Sequence, residues 1–196
     1  MIPATAFRSE VRFTQRAFRR WVDERPRGDC NHYELLRGQI VMSPPAGWTH
    51  ARIEVRLARL LEEHVVDEGL GLVFGSSLGF DLPSGDTVQP DASFLTTERF
   101  QQHAPTRANQ FLRAVPNLVI EILSPGTARH DRDEKKMIYE RNGVDEYWIV
   151  DPRARTVTVF SSSPSGYAAG RTFRRGAVRS RVLPRLAMTV AALLGP

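Results

Sequence analysis

Three features of the sequence carry side chains suited to chemistry. The first is Gln89-Pro90-Asp91, an acid inside a strand-like stretch where Pro90 cannot donate to a ladder and so marks an edge or a bulge. The second is Glu121, a carboxylate in AVPNLVIEIL, the most apolar strand-like run of the chain. An unpaired buried carboxylate is costly, so Glu121 requires a cation, a hydrogen-bond network or an open cleft; a structural ion pair with an arginine is the plain alternative. The third is Lys135, near the start of the following helix and so placed over the end of the Glu121 strand. Two carboxylates on neighbouring strands suit Mg²⁺ or Mn²⁺, which complete their shells with water and substrate phosphate. A lysine beside them can orient an attacking water or offset charge in the transition state. Asp131, one helical turn before Lys135, offers that lysine an ordinary surface ion pair instead.

The elements that must position these groups follow from periodicity and punctuation. Thr14 caps a short helix reaching about Glu24, with Phe18, Trp21 and Val22 on one side. HYELL and QIVM form a hairpin around Arg37-Gly38. After a Pro44-Pro45 loop, Thr49 is the expected cap of a long helix whose core face carries Ile53, Leu57, Leu60, Leu61, His64 and Val65. LVFGSSLGFDL reads as a strand, TVQPDASFL as a strand with one wet face, and a short helix lies near Glu98. AVPNLVIEIL is a central strand covered on both faces, ended by Ser124-Pro125-Gly126. A helix from Asp131 to Arg141 closes at Asn142-Gly143, and DEYWIVD and TVTVF follow as strands. Weaker strands are expected near 171–173 and 178–183, with a short helix from Thr189. The pattern is an α/β or α+β sheet protein, and residues 1–196 read as one domain.

Composition narrows the classes. At 41% hydrophobic and 25% charged, the 196 residues can bury a core without metal or disulfide staples. The single cysteine, Cys30, has no partner in the chain, which fits a reducing, cytoplasmic setting, and no apolar run approaches the ~20 residues of a membrane span. Walker loop, dinucleotide fingerprint and HExxH motifs are absent. The net charge of +5 hides a strong asymmetry. Residues 1–27 carry seven Arg against three acids (+4), residues 28–151 carry 12 basic against 19 acidic side chains (−7), and residues 152–196 carry eight Arg and no acid (+8). An acidic middle between arginine-rich ends suits a carboxylate site flanked by surface that attracts a polyanion. Of 27 basic residues, only Lys135 and Lys136 are lysines.

The stretch from VQPDASFL through PNLVIEILSPGTARHDRDEKKMIYERNGVDEYWIVDP resembles the Uma2 family (DUF820) of the PD-(D/E)xK restriction-endonuclease-like superfamily. YELLRGQIVMSPPAGWTH resembles the same family's N-terminal signature, and together the two stretches cover about residues 30 to 155. The resemblance implies a mixed β-sheet core flanked by helices, with an N-terminal helix and β-hairpin, a divalent metal (Mg²⁺ or Mn²⁺), and phosphodiester hydrolysis in DNA. Asp91 stands at the superfamily's PD acid and Glu121 at its D/E acid, making both expected metal ligands and catalytic residues. The usual lysine two positions later is Leu123 here, and Lys135 takes the catalytic role in the family pattern, with Lys136 at most accessory. Glu34 and His50 match family positions and, with Asp131, which could pair with Lys135 and orient it, are accessory candidates: Glu34 as a further ligand, the holder of a basic residue or a solvent-facing bystander, and His50 as a structural residue at the helix start or a contact to phosphate or a metal-bound water. Ser124 and Thr127 could bond a phosphate or make the turn, and Tyr147 and Trp148 read as core aromatics. A homodimer would suit double-strand cutting. The departure at Leu123 leaves a second reading, a nucleic-acid-binding or regulatory module on the same fold without catalysis.

Overall fold

The computed structural model describes residues 7–26, 28–103, 111–124 and 130–195. The chain begins with β1 (Phe7–Arg8), and then Thr14, in extended conformation, accepts a hydrogen bond from Ala17 N and starts α1 (Gln15–Asp23). A hairpin of β2 (His32–Leu36) and β3 (Gln39–Ser43) turns through Arg37 and Gly38, both at positive φ. Next come α2 (Trp48–Asp67), β4 (Gly71–Gly75), β5 (Phe80–Asp81), β6 (Thr87–Val88), β7 (Ala92–Thr96) and α3 (Thr97–His103). The second half holds β8 (Leu118–Ile122), α4 (His130–Arg141), β9 (Glu146–Asp151), β10 (Thr156–Ser163), β11 (Gly166–Tyr167), β12 (Arg171–Phe173) and α5 (Val190–Leu194).

Two sheets result. The larger has the order β11-β10-β9-β8-β7-β4, with β12 on β10, and the smaller runs β1-β3-β2-β6-β5. Among the paired strands of the described residues only β8 and β9 run parallel, joined by the α4 crossover. Along β8 the side chains alternate between two apolar layers. Leu118, Ile120 and Ile122 pack with α2 and α5 through Ile53, Leu57, Leu61 and Leu193. Val119 packs on the opposite layer with Ile138 and Tyr139 of α4 and with Leu36, Val41 and Val88 of the small sheet. A third apolar layer joins Phe18 of α1 to Leu35 and Ile40 on the outer face of that sheet. Glu121, in phase with Val119, therefore faces α4 and the small sheet. The α4 C-terminus ends as its sequence requires, with Gly143 at φ +77° and Val144 N bonded to Tyr139 O.

Four details differ from the sequence reading. The long helix begins at Trp48 with Gly47 as its N-cap, and Thr49 lies inside the first turn. LVFGSSLGFDL divides into β4 and β5, in different sheets. TVQPDASFL also divides, because Pro90 stops the ladder. β6 joins the small sheet and β7 the large one, and the first four residues of β7 are all buried, so no face is wet. The 178–183 stretch is not a strand; only the bridge Ala177↔Thr189 forms nearby. Pro125, Gly126 and Thr127 lie outside the described residues, as does the Asp131 side chain. Among the described residues no helix is long and apolar enough to cross a membrane.

Candidate active site

Pro90 separates the two sheets, and the site is built where it does so. In the antiparallel β7–β8 register Ala92 faces Ile120 and Ser93 faces Val119, so one further step sets Asp91 opposite Glu121. Asp91 Oδ2 accepts the Ile122 backbone N–H at 2.6 Å, replacing a ladder bond, and lies 3.2 Å from His50 Nε2 on the first turn of α2. Lys135 enters from α4. Its Nζ donates to Glu121 Oε1 at 3.0 Å and sits 2.9 Å from Glu34 Oε2. Tyr139, one turn further along α4, donates its hydroxyl to the same Glu121 Oε1 at 2.6 Å. Glu34 is fixed in turn by the Gln89 backbone N–H at 2.8 Å, while Gln89 Oε1 accepts from Tyr33 N at 3.1 Å. These bonds carry the small sheet across the break that Pro90 makes.

The cluster is buried and short of positive charge. Glu34 and Lys135 are 5% and 7% exposed, and the Glu121 and Asp91 side chains 12% and 16%. Among the described residues, three carboxylates thus share one lysine and one histidine. Burial pushes the Glu121 pKa up to about 8; Lys135 opposes this, Asp91 and Glu34 add to it by repulsion, and the Tyr139 hydrogen bond works against it. For His50, burial favours the neutral ring, but the hydrogen bond and charge of Asp91, with Glu54 and Glu121 behind it, outweigh burial and raise its pKa. Ser76 Oγ holds Glu54 at 2.6 Å, and Glu54 reaches within 4.0 Å of His50 Nδ1.

A stability profile follows. Because the folded protein holds the Glu121 proton more tightly than the unfolded chain does, the stability from this group is full below its ordinary pKa of 4.5 and is lost as pH rises through about 8. Without metal, the melting temperature of the wild type is expected to fall relative to Glu121→Gln across that window; parallel curves from calorimetric scans at several pH values would contradict the assignment.

A divalent cation fits these donors. Hydrogen bonds engage Oδ2 of Asp91 and Oε1 of Glu121, leaving each carboxylate its second oxygen, and the excess negative charge is what a dication offsets. Among the described residues no group of three or more His, Cys, Asp or Glu side chains forms a metal cage, so the candidate set remains the two-carboxylate one.

The structure brings together Asp91, Glu121, Lys135, Glu34 and His50. Glu34 is not a solvent-facing bystander: it is buried and holds Lys135. Leu123 packs partly buried in the apolar layer under α4, so the ammonium arrives from the helix rather than from the strand. Lys136 points elsewhere, its Nζ 4.9 Å over the Phe160 ring, and Tyr147 and Trp148 are core residues as expected. Tyr139 was not singled out in the sequence, although its position four residues after Lys135 puts it on the same helix face. Tyr139→Phe removes one donor to Glu121 and is expected to weaken Mn²⁺ affinity roughly 10-fold, as loss of a group orienting a ligand does, with the fold intact. A calorimetric titration checks it, and unchanged affinity would exclude an orienting role.

Residues 16–191 match the family model Uma2, described as "Putative restriction endonuclease". An uncharacterized protein from Synechocystis sp. is 27% identical over 136 residues, 68% of each chain. The chain also superposes on a solved structure described as "a putative nuclease belonging to DUF820" from Anabaena variabilis, with a TM-score of 0.74 and 19% identity, covering 93% of this chain and 97% of that one. The shared fold is the mixed α/β arrangement with helices flanking the sheets that the sequence led us to expect.

Proposed function

We propose, since the chain belongs to the Uma2 family, that it is a divalent-metal-dependent endonuclease hydrolysing phosphodiester bonds in DNA, on one domain spanning residues 1–196. The observation that carries this reading is the convergence of Lys135 on Glu121, beside Asp91, at the place where Leu123 leaves the strand without a lysine. Asp91 and Glu121 would hold Mg²⁺ or Mn²⁺, which when bound would polarise the scissile phosphate and acidify a water. Lys135, held as a compact point charge between Glu34 and Glu121, would orient an attacking water and offset charge developing on the phosphate. His50 fixes the orientation of Asp91 and, with its raised pKa, adds positive charge at the edge of the site. Tyr139 holds Glu121 by its Oε1, which would leave the other carboxylate oxygen as the one to take a cation.

Supercoiled plasmid incubated with the protein tests the reading. Nicking with Mg²⁺ or Mn²⁺ that stops on addition of a chelator is the expected result; no cleavage, or cleavage indifferent to the chelator, would overturn it. His50→Asn should slow the same reaction by about 10- to 100-fold through loss of the Asp91 contact. An undiminished rate would remove His50 from the site.

A further inference from the structure

Away from the carboxylate cluster, α1, the tip of the β2–β3 hairpin and the segment around Arg113 enclose a cleft of about 580 Å³. Four arginines line it: Arg16, Arg19, Arg37 and Arg113. Its one acidic lining residue, Asp86, is already engaged, pairing with Arg141 and accepting the Arg37 backbone N–H at 2.6 Å. Arg19 pairs with Asp81, and Arg37 lies 3.6 Å from Glu134. Arg16 and Arg113 are exposed and make no ion pair among the described residues. The positive field shows on Arg19, whose pKa is lowered by burial and then by the like charge of Arg113, with Asp23 opposing. A second cleft of about 520 Å³ shares Gln15 and Arg113 with the first and adds Arg99, which pairs with Asp145, and Asp81, which is taken up by Arg19, leaving Arg113 as the cation without an ion pair that both clefts share among the described residues.

We propose that this arginine-lined cleft holds the phosphate backbone of a DNA segment flanking the scissile bond. The inference rests on the nuclease reading and adds to it the surface that carries substrate away from the site. Two observations favour a polymer over a lone phosphate. The two clefts lie side by side, sharing Gln15 and Arg113 in their linings, so cationic surface extends past a single phosphate's reach. One wall also lies against α4, the helix that carries Lys135, because Arg37 pairs with Glu134. The groove draws Arg37 and Arg113 from the acidic middle of the chain, so polyanion contact is not confined to its arginine-rich ends. Guanidinium groups suit this task, since each forks onto phosphate oxygens without base specificity.

The test is binding of a labelled duplex oligonucleotide to the metal-free protein across a salt series. Arg16→Gln, Arg113→Gln and the double variant are compared with Arg59→Gln, an equal charge loss on the outer face of α2 where Arg59 pairs with Glu63. The expected result is weaker binding with a log–log salt slope reduced by about 1 per substitution and about 2 in the double variant, with Arg59→Gln unchanged. The metal-dependent cleavage rate at saturating DNA should stay at the wild-type value while the half-saturating DNA concentration rises. Slopes that match the wild type, or an equal effect from Arg59→Gln, would overturn the cleft assignment while leaving the nuclease reading intact. Reduced slopes in a protein that cleaves with no metal would support the cleft and overturn the nuclease reading. Inorganic phosphate and a nucleoside diphosphate form a further arm. If either binds through Arg16 and Arg113 while DNA affinity ignores both residues, the cleft is a small-anion site and the proposal fails.

Discussion

Glu121→Gln is expected to lower metal-dependent cleavage by on the order of 10³-fold while leaving the metal-free protein at least as stable as wild type above pH 8. The two halves of this result have one cause. Glu121 stands in a buried cluster where Asp91 and Glu34 repel it and burial penalises its charge. Replacing it by a neutral amide of the same shape removes that repulsion. Lys135 is not stranded, because Glu34 Oε2 remains 2.9 Å away. Were Glu121 instead the counter-charge on which Lys135 depends, its removal would leave a buried cation uncompensated and destabilise by about 3–5 kcal/mol. Activity lost with stability kept therefore separates a cation site from a structural pair. Plasmid cleavage and thermal melts of one preparation measure both, and a large fall in melting temperature with cleavage retained would refute the site.

Lys135→Met should be as inactive and much less stable. Among the described residues it leaves Glu34, Glu121 and Asp91 with only the His50 ring as a neighbouring cation, so about 3–5 kcal/mol is lost, a fall in melting temperature on the order of 10 °C for a chain of this size. Lys135→Arg should not restore cleavage, since a planar fork cannot replace a point charge shared at 2.9 and 3.0 Å between two carboxylates. The sign of the metal effect is the diagnostic part. With the competing ammonium gone, a dication is the cluster's best remaining counter-charge, so Mn²⁺ should raise the melting temperature of Lys135→Met more than that of wild type. Equal shifts would mean that Lys135 and the cation do not share the cluster.

The separate pieces of this site were legible in the sequence, and their meeting was not. Local chemistry gave the Thr14 cap, the hairpin turn at Arg37-Gly38, the twice-covered β8 and the glycine that ends α4, since each depends on neighbours within a few residues. Asp91, Glu121 and Lys135 stood out because charged residues in or beside an apolar strand demand an explanation. Glu34 was ambiguous, because its partners Gln89 and Lys135 are far along the chain and meet it only when the small sheet packs on α4. The division of TVQPDASFL needed the same information. Pro90 signals a break, but that the chain changes sheets there is decided by which layers α4 and α2 cover. Tyr139 was the avoidable omission, because helical spacing from Lys135 alone places it over Glu121.

Titrating Mn²⁺ into the intact protein by calorimetry tests most directly the proposal that Asp91 and Glu121 together form a cation site. Saturable uptake in the wild type that is lost in both Asp91→Asn and Glu121→Gln is the predicted result. No uptake by the wild type, or uptake that survives both substitutions unchanged, would contradict it.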